Sequence, residues 1–283
     1  GAGLRRGCND DRRPALPDRL DREKRETAEM STFVIVHGGF GGGWEWTPVA
    51  ELLRGRGHSV FTPTLTGMGE RSHLGPRVGL TTHIDDVVAV LEFEDLHNVV
   101  LCGASYGGMP ITGAADRVSE RIALLLYIDA LVPVNGQSSL DLLPERFGAL
   151  VRAAADEDGH GWIAIPAGVL PPDGLRMDDT MKRYIARLRD QPVASFTEPI
   201  HLTNAADGVR RAFIRCTGYE LDVWGDPIEP MAARARTEGW PYRELNAPHD
   251  PHLFDPTATA VLLEELGAAA MSEEDRRNEV SRS

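Results

Sequence analysis

The sequence predicts an α/β fold: a mostly parallel sheet with helices on both faces and an inserted helical cap. Three observations lead to this prediction. Short β-branched, apolar runs alternate with longer segments of helical character. A Gly-x-Ser-x-Gly string joins one such run to a helix, and a histidine follows the last predicted strand. Alternating strands and helices imply parallel strands joined by crossover helices, which cover both faces of the sheet.

The predicted elements alternate along most of the chain. The predicted strands are 32–36, 59–62, 98–102, 124–129, 212–216 and 242–245. The predicted helices are 46–56, 81–93, 109–118, 228–238 and 256–270.

The alternation stops between residues 133 and 207, which are rich in Pro, Asp, Leu and Met and have helical rather than strand character. We therefore expect a cap over 133–207, inserted into a core of residues 30–132 and 208–270. Residues 1–29 are dense in charge and poor in large apolar side chains. Such a segment buries too little surface to offset the entropy of ordering, which predicts a disordered extension. Residues 271–283 form a similar charged tail.

The string from Gly103 to Gly107 carries the clearest functional signal. Strand, Gly-x-Ser-x-Gly and helix, in this order, is the setting in which a serine lies on a strained turn with its hydroxyl exposed above the sheet. A side chain at either glycine would collide with the neighbouring strand or helix. The pattern predicts Ser105 as a nucleophile, and the alternative is an ordinary turn serine in a ligand-binding protein.

A glycine-rich loop, residues 38–43, follows the first predicted strand. Acyl transfer requires two backbone N–H groups directed at the developing oxyanion, and such a loop supplies one of them. We expect the N–H groups of Gly39 and Tyr106 to form this oxyanion hole. The loop lacks a Gly-x-Gly-x-x-Gly spacing, and the second strand ends in Thr62-Pro63 without an acidic residue for a ribose. Both features argue against a nicotinamide cofactor, and we expect no cofactor.

A histidine in the loop after the last predicted strand is the expected general base. His249 occupies this position, and His252 is its competitor. The two histidines lie in a loop broken by Pro251, so their rings do not share one helical face and we expect no metal site. His37, at the start of the glycine-rich loop, is expected to be structural.

The composition argues against nucleic-acid and membrane partners. The 283 residues carry a formal net charge of −13, from 43 acidic and 30 basic residues, without an evident basic patch. This argues against a nucleic-acid partner. No apolar run approaches the ~20 residues of a membrane span. Residues 1–29 lack the apolar stretch of a signal peptide, so a cytoplasmic protein without membrane contact is expected. The oligomeric state stays open, with a homodimer as one option.

Taken together, these motifs resemble the α/β-hydrolase superfamily. More narrowly, the chain resembles small serine esterases related to plant methylesterases, hydroxynitrile lyases and bacterial pyrethroid-type esterases. The resemblance is carried by Val36-His37-Gly38-Gly39, Gly42-Gly43-Trp44-Glu45-Trp46, and residues 62–71, 103–108, 127–130 and 249–251. It implies that the cap and the glycine-rich loop line an acyl or aromatic pocket, with Phe40, Trp162, Met177 and Met181 as candidate binding residues. The alternative is that these side chains only pack the cap onto the core.

Two positions compete for the catalytic acid. Many relatives carry an Asp in the loop after the strand that corresponds to 212–216, and here that position falls near Tyr219, with Glu220 and Asp222 close by. Other members of the superfamily place the acid on the preceding strand, where Asp129 ends an otherwise apolar run. An aspartate in such a place is costly unless it is hydrogen-bonded or functional. We favour Asp129, with Asp222 as the alternative.

The resemblance implies a cofactor-independent serine hydrolase that cleaves a carboxylic ester or lactone of a small apolar or aromatic molecule through an acyl-enzyme. Two other functions use the same scaffold. One is a cofactor-free dioxygenase or polyketide-tailoring enzyme, in which His249 deprotonates the substrate, and the other is a non-enzymatic small-molecule receptor. Hydroxynitrile lyase chemistry is disfavoured, because Gly38 and Asp250 stand where those enzymes carry Thr and Lys.

Overall fold

The structure is a computed structural model that describes residues 30–74, 77–158, 162–163, 179–218 and 226–282. The expected disordered extension, Met177 and Asp222 lie outside these ranges. In chain order the elements are β1 (Thr32–Val36), α1 (Thr47–Gly55), β2 (Ser59–Phe61), α2 (Leu80–Phe93), β3 (Val99–Ala104), α3 (Gly108–Arg117), β4 (Ile122–Ile128), α4 (Ser139–Leu142), α5 (Glu145–Asp158), β5 (Trp162–Ile163), α6 (Asp179–Ile185), β6 (Gln191–Pro192), α7 (Val193–Thr197), β7 (Arg211–Cys216), α8 (Glu229–Thr237), β8 (Tyr242–Leu245), α9 (Pro251–Phe254) and α10 (Pro256–Arg282).

Within the part of the chain that the structure describes, six strands form one parallel sheet in the order β2-β1-β3-β4-β7-β8. The predicted class, a parallel sheet covered by helices, is confirmed. The strand order reverses between β1 and β3, so the loops that follow these two strands diverge and leave a crevice. In parallel α/β folds this crevice, outside the carboxyl ends of the strands, is where ligands bind.

Both faces of the sheet are buried, because strand side chains alternate between two apolar clusters. Val34 and Leu101 belong to the cluster that α2, α3 and α8 cover. Phe33 and Val100 belong to the opposite cluster, which α1 and α10 cover. A strand that is buried on both faces reads as a continuous apolar run, which is why the sequence pattern identified the central strands.

The element boundaries differ from the predicted ones mainly at the end of the chain. Helix α10 continues to Arg282 instead of ending at residue 270. The residues after 270 include several Glu and Arg and neither Gly nor Pro, so no local signal ends the helix there. No helix among the described residues is both long and apolar enough to cross a lipid bilayer.

Between β4 and β7 the chain leaves the central sheet, and we refer to residues 133–207 as the inserted segment. Its described part consists of α4 to α7 and the short antiparallel pair β5–β6. Phe196 and Ile200 of this segment are buried in the same cluster as Tyr106. The inserted segment therefore packs against the turn that follows β3.

Candidate active site

A strained turn after β3 carries Ser105. Its φ is 50°, in the left-handed region that residues other than glycine rarely adopt. A Cβ atom on Gly103 would lie 2.5 Å from the carbonyl oxygen of Gly107, and one on Gly107 would lie 2.6 Å from that of Val36. Both positions therefore require glycine, because Gly103 lies against Gly107 in the serine turn, and Gly107 lies against the end of β1, too closely for a side chain. The turn leaves Ser105 half-buried at the crevice.

Three loops bring Ser105, His249 and Asp129 together. Nε2 of His249 lies 2.9 Å from Oγ of Ser105, and Nδ1 of His249 lies 2.7 Å from Oδ2 of Asp129. Asp129 directly follows β4, is fully buried and has a φ of 44°, whereas His249 lies in the loop after β8. A nucleophile, a base and an acid in this sequence of hydrogen bonds form the arrangement that activates a serine hydroxyl.

The charges of this cluster shift two pKa values in opposite directions. Burial by itself raises the pKa of Asp129, but the hydrogen bond and charge of His249 and the guanidinium of Arg215 outweigh burial and hold that pKa below its usual value. Burial by itself lowers the pKa of His249, and the hydrogen bond and charge of Asp129, helped by Asp250, outweigh it and raise the pKa. The site is thus built to stabilise an imidazolium ion.

The glycine-rich loop lies against the serine turn. A Cβ atom on Gly38 would lie 3.3 Å from Cβ of Ser105, and one on Gly39 would lie 4.0 Å from Cβ of Tyr106. His37 holds the start of this loop: its Nε2 accepts the N–H of Leu65 at 3.1 Å, so its Nδ1 carries the proton donated to the carbonyl of Gly38 at 2.8 Å. Burial lowers the pKa of His37 to about 4, which keeps the ring neutral in this structural role.

The inserted segment contributes a polar contact that the sequence did not reveal. The backbone N–H of Phe40 donates to Oε1 of Gln191 at 3.0 Å, and Nε2 of Gln191 donates to Oγ of Ser195 at 2.8 Å. Phe40 has a φ of 62°, so this bond stabilises an unusual backbone conformation next to Gly39. No sequence signal links Gln191 to a loop 151 positions away.

His83 contacts the residue that follows Ser105, and the sequence did not predict this contact either. Its Nε2 lies 2.9 Å from the carbonyl oxygen of Thr66, which can only accept. Nδ1 of His83 therefore accepts the hydroxyl proton of Tyr106, at 2.7 Å. This contact orients Tyr106, which is the residue directly after Ser105.

Apolar side chains pack near the turn that carries Ser105. The ring of Phe196 contacts the rings of Phe40, Tyr106 and Phe147, with centroids 6.0, 5.5 and 6.0 Å apart. Met181 is buried in a third apolar cluster with Tyr184 and Leu188, against which Phe40, Trp44 and Leu253 pack. Of the other two predicted binding residues, Trp162 lies in β5 and Met177 falls outside the described residues.

His252, the competitor of His249, is buried elsewhere. Its ring stacks on Trp46 with centroids 4.3 Å apart, and its Nε2 lies 3.8 Å from Oε1 of Glu45. Neither ring nitrogen has a hydrogen-bond partner among the described residues, and burial lowers the pKa of His252 to about 4. Within the described ranges, no group of three or more His, Cys, Asp or Glu is arranged to hold a metal ion.

Comparison with known proteins identifies relatives of the chain. It is 37% identical over 250 residues to a carbendazim hydrolyzing esterase of Nocardioides sp. (strain SG-4G), covering 84% of this chain and 100% of that protein. It is 35% identical over 216 residues to putative methylesterase 15, chloroplastic, of Arabidopsis thaliana, covering 69% of this chain and 48% of that protein. The match thus spans about half the length of the plant relative.

Solved structures share the fold. An extracellular alpha/beta-hydrolase from a Paenibacillus species superposes with a TM-score of 0.74 at 22% identity, over 84% of this chain and 99% of that one. The pyrethroid hydrolase PytH superposes with a TM-score of 0.57 at 20% identity, over 85% of this chain and 98% of that one. The model of the alpha/beta hydrolase family matches residues 33–262. The resemblance seen in the motifs is confirmed, and the chain belongs to the alpha/beta hydrolase family, among relatives that are esterases.

Proposed function

We propose that this protein is a cofactor-independent serine esterase that cleaves a small apolar or aromatic carboxylic ester or lactone through an acyl-enzyme. The observation that carries the proposal is the contact of 2.9 Å between Oγ of Ser105 and Nε2 of His249, with Asp129 hydrogen-bonded to the opposite ring nitrogen. No cofactor is required, because the chain itself supplies the nucleophile, the base and the acid.

The reaction proceeds in two acyl transfers. Oγ of Ser105 attacks the carbonyl carbon while Nε2 of His249 takes the hydroxyl proton, and the N–H groups of Gly39 and Tyr106 stabilise the oxyanion. The tetrahedral intermediate expels the alcohol, which takes the proton back from Nε2. Water then attacks the acyl-enzyme by the same route and releases the acid, and throughout both steps the carboxylate of Asp129 stabilises the imidazolium.

The surroundings of Ser105 favour an apolar substrate. Phe196 contacts both Phe40 and Tyr106 beside the turn, so a ligand that reaches Ser105 from the inserted segment meets aromatic side chains. Aromatic and apolar linings with few polar groups are typical of small-molecule sites. The names of the relatives, a carbendazim hydrolyzing esterase and putative methylesterases, support esters of small molecules. The cytoplasmic location expected from the sequence stays a prediction.

Active-site labelling tests the proposal. A fluorophosphonate probe should label the wild-type protein at Ser105 and should not label Ser105→Ala. A panel of short-chain nitrophenyl esters, aryl esters, lactones and carbendazim should show turnover that Ser105→Ala lacks. His252→Gln is the control, since the ring of His252 packs against Trp46 and Glu45, and it should keep the labelling. Absence of both labelling and turnover would contradict the proposal, and oxygen uptake with a quinolone-type substrate would favour a cofactor-free dioxygenase instead.

A further inference from the structure

Asp129 has partners on both of its carboxylate oxygens. Oδ2 lies 2.7 Å from His249, whereas Oδ1 accepts Nη1 of Arg215 at 2.5 Å and the backbone N–H of Cys216 at 3.0 Å. Arg215 is itself buried, with a side-chain exposure of 7%. A buried carboxylate is stable only when its oxygens are hydrogen-bonded, and here an arginine on β7 supplies part of that stabilisation.

The guanidinium of Arg215 holds a second carboxylate. Its Nη2 donates to Oδ2 of Asp226 at 2.5 Å. Oδ1 of Asp226 accepts the N–H groups of Ile228 and Glu229 at 3.1 and 2.9 Å, which anchors the aspartate just before α8. A continuous series of hydrogen bonds therefore runs from Ser105 through His249, Asp129 and Arg215 to Asp226.

We propose that Arg215 and Asp226 are positioning residues of the esterase site: Arg215 fixes Asp129 against His249, and Asp226 offsets the charge of Arg215. This inference rests on the proposed function for its catalytic meaning. The planar fork of an arginine can bridge two carboxylates at once, which the single ammonium of a lysine does less well. The arrangement lets two residues that do not contact Ser105 determine how strongly Asp129 acts on His249.

Removing Arg215 and removing Asp226 should shift the pKa of His249 in opposite directions. The positive charge of Arg215 opposes protonation of His249 and lowers its pKa, and removal of this charge should raise it. The negative charge of Asp226 neutralises Arg215, so removal of Asp226 should lower the pKa of His249. Among the described residues, Asp129 and Asp250 also act on this ring, and both raise its pKa.

Arg215 and Asp226 also border a cavity of about 240 Å³, which is lined by charged and polar side chains of α8 and β8: Glu229, Arg236, Tyr242 and Glu244. Glu229 is paired with Arg236. Glu244 lines the same cavity, whereas Arg215 is paired with Asp129 and Asp226, so Glu244 provides a matched control for Asp226.

The test is a titration of His249 by NMR on the full chain with ¹⁵N-labelled histidine, together with the pH dependence of kcat/KM. Asp226→Asn keeps a side-chain oxygen that can accept the N–H groups of Ile228 and Glu229. It should move the midpoint of the His249 titration downward by a fraction of a pH unit, because Asp226 acts on the ring only through Arg215 and Asp129. Arg215→Met should move the midpoint upward by a similar amount and lower kcat by about 10- to 100-fold, the cost typical of losing a partner that orients a functional ligand. Arg215→Lys should return the midpoint toward the wild-type value, and Glu244→Gln should leave it unchanged.

The outcomes separate this inference from the proposed function. If folded Asp226→Asn shows an unchanged or raised midpoint, the positioning role is wrong, and this holds even if Arg215→Met fails to fold. If the midpoints move as expected but the wild-type protein neither hydrolyses esters nor reacts with the fluorophosphonate, the coupling exists and the esterase proposal is wrong.

Discussion

Asp129 and His249 are joined at 2.7 Å although 120 positions separate them in the chain. Asp129 follows β4 and His249 follows β8, and the parallel sheet brings the carboxyl ends of both strands to the same edge. The pairing leaves the other ring nitrogen of His249 facing Ser105.

The first prediction concerns the acid. Asp129→Asn should lower kcat by about 10⁴-fold, because the imidazole adopts the wrong tautomer and the imidazolium loses its partner. Asp222→Asn, the alternative from the sequence analysis, should remain close to the wild type. Steady-state kinetics on one nitrophenyl ester measures both. A nearly inactive Asp222→Asn beside an active Asp129→Asn would move the acid to the later loop.

The second prediction concerns the serine turn. Gly103→Ala should lower the free energy of unfolding by about 1–3 kcal/mol or prevent folding, as overpacking does, because the new methyl group would lie 2.5 Å from a backbone oxygen. Gly55→Ala is the control. No atom from another part of the described chain lies within 4 Å of a Cβ atom placed there, at the end of α1, so the change should stabilise the protein by up to about 1 kcal/mol. Urea unfolding measures both variants. Equal stabilities would contradict the crowding inferred at the turn.

The third prediction concerns the contact between the inserted segment and the glycine-rich loop. Gln191→Ala removes the acceptor of the Phe40 N–H and should lower kcat by about 10- to 100-fold, less than the ~10²–10³-fold of losing a whole oxyanion donor. Gln137→Ala is the matched control, since its side chain accepts the N–H of Val134 at 2.9 Å in the same segment. It should leave kcat unchanged. Equal losses in the two variants would indicate a general effect of weakening the segment.

The fourth prediction concerns the pH dependence of stability. Burial raises the pKa of Glu45 well above its usual value, with the charge of Asp250 adding to the effect. A carboxyl group whose pKa is raised on folding stabilises the folded state fully below about pH 4.5. This contribution is lost as the pH rises toward the folded-state pKa. The free energy of unfolding of Glu45→Gln, relative to the wild type, should therefore increase between pH 5 and pH 8, by at most about 1.4 kcal/mol per pH unit.

Glu264→Gln is the control for this measurement. The pKa of Glu264 is lowered: burial opposes the shift, and the hydrogen bonds from His58 and Arg56 outweigh it. Its contribution is therefore present above about 4.5 and is lost as the pH falls. Glu264→Gln should cost stability at neutral pH and cost less near pH 4. Urea unfolding at several pH values measures both variants, and parallel curves for Glu45→Gln and the wild type would show that Glu45 does not titrate differently on folding.

Local sequence patterns were sufficient to predict the strands, the serine turn and the order of the functional loops. Apolar runs identify strands buried on both faces, and the glycines around Ser105 are dictated by contacts within a few residues of the turn. Asp129 could be predicted from the sequence for a similar reason, since a charged residue that ends an apolar strand requires a partner. The family followed from several such motifs in order.

The tertiary structure alone decided which distant side chains meet at the crevice. Gln191, His83 and Arg215 carry no local signal, because an amide in a short strand, a histidine in a helix and an arginine in a strand are common residues in the sequence. Their contacts with Phe40, Tyr106 and Asp129 span 151, 23 and 86 positions. Short-range periodicity determines how a segment folds, but the partner of a buried polar group depends on how the sheet and the inserted segment pack together.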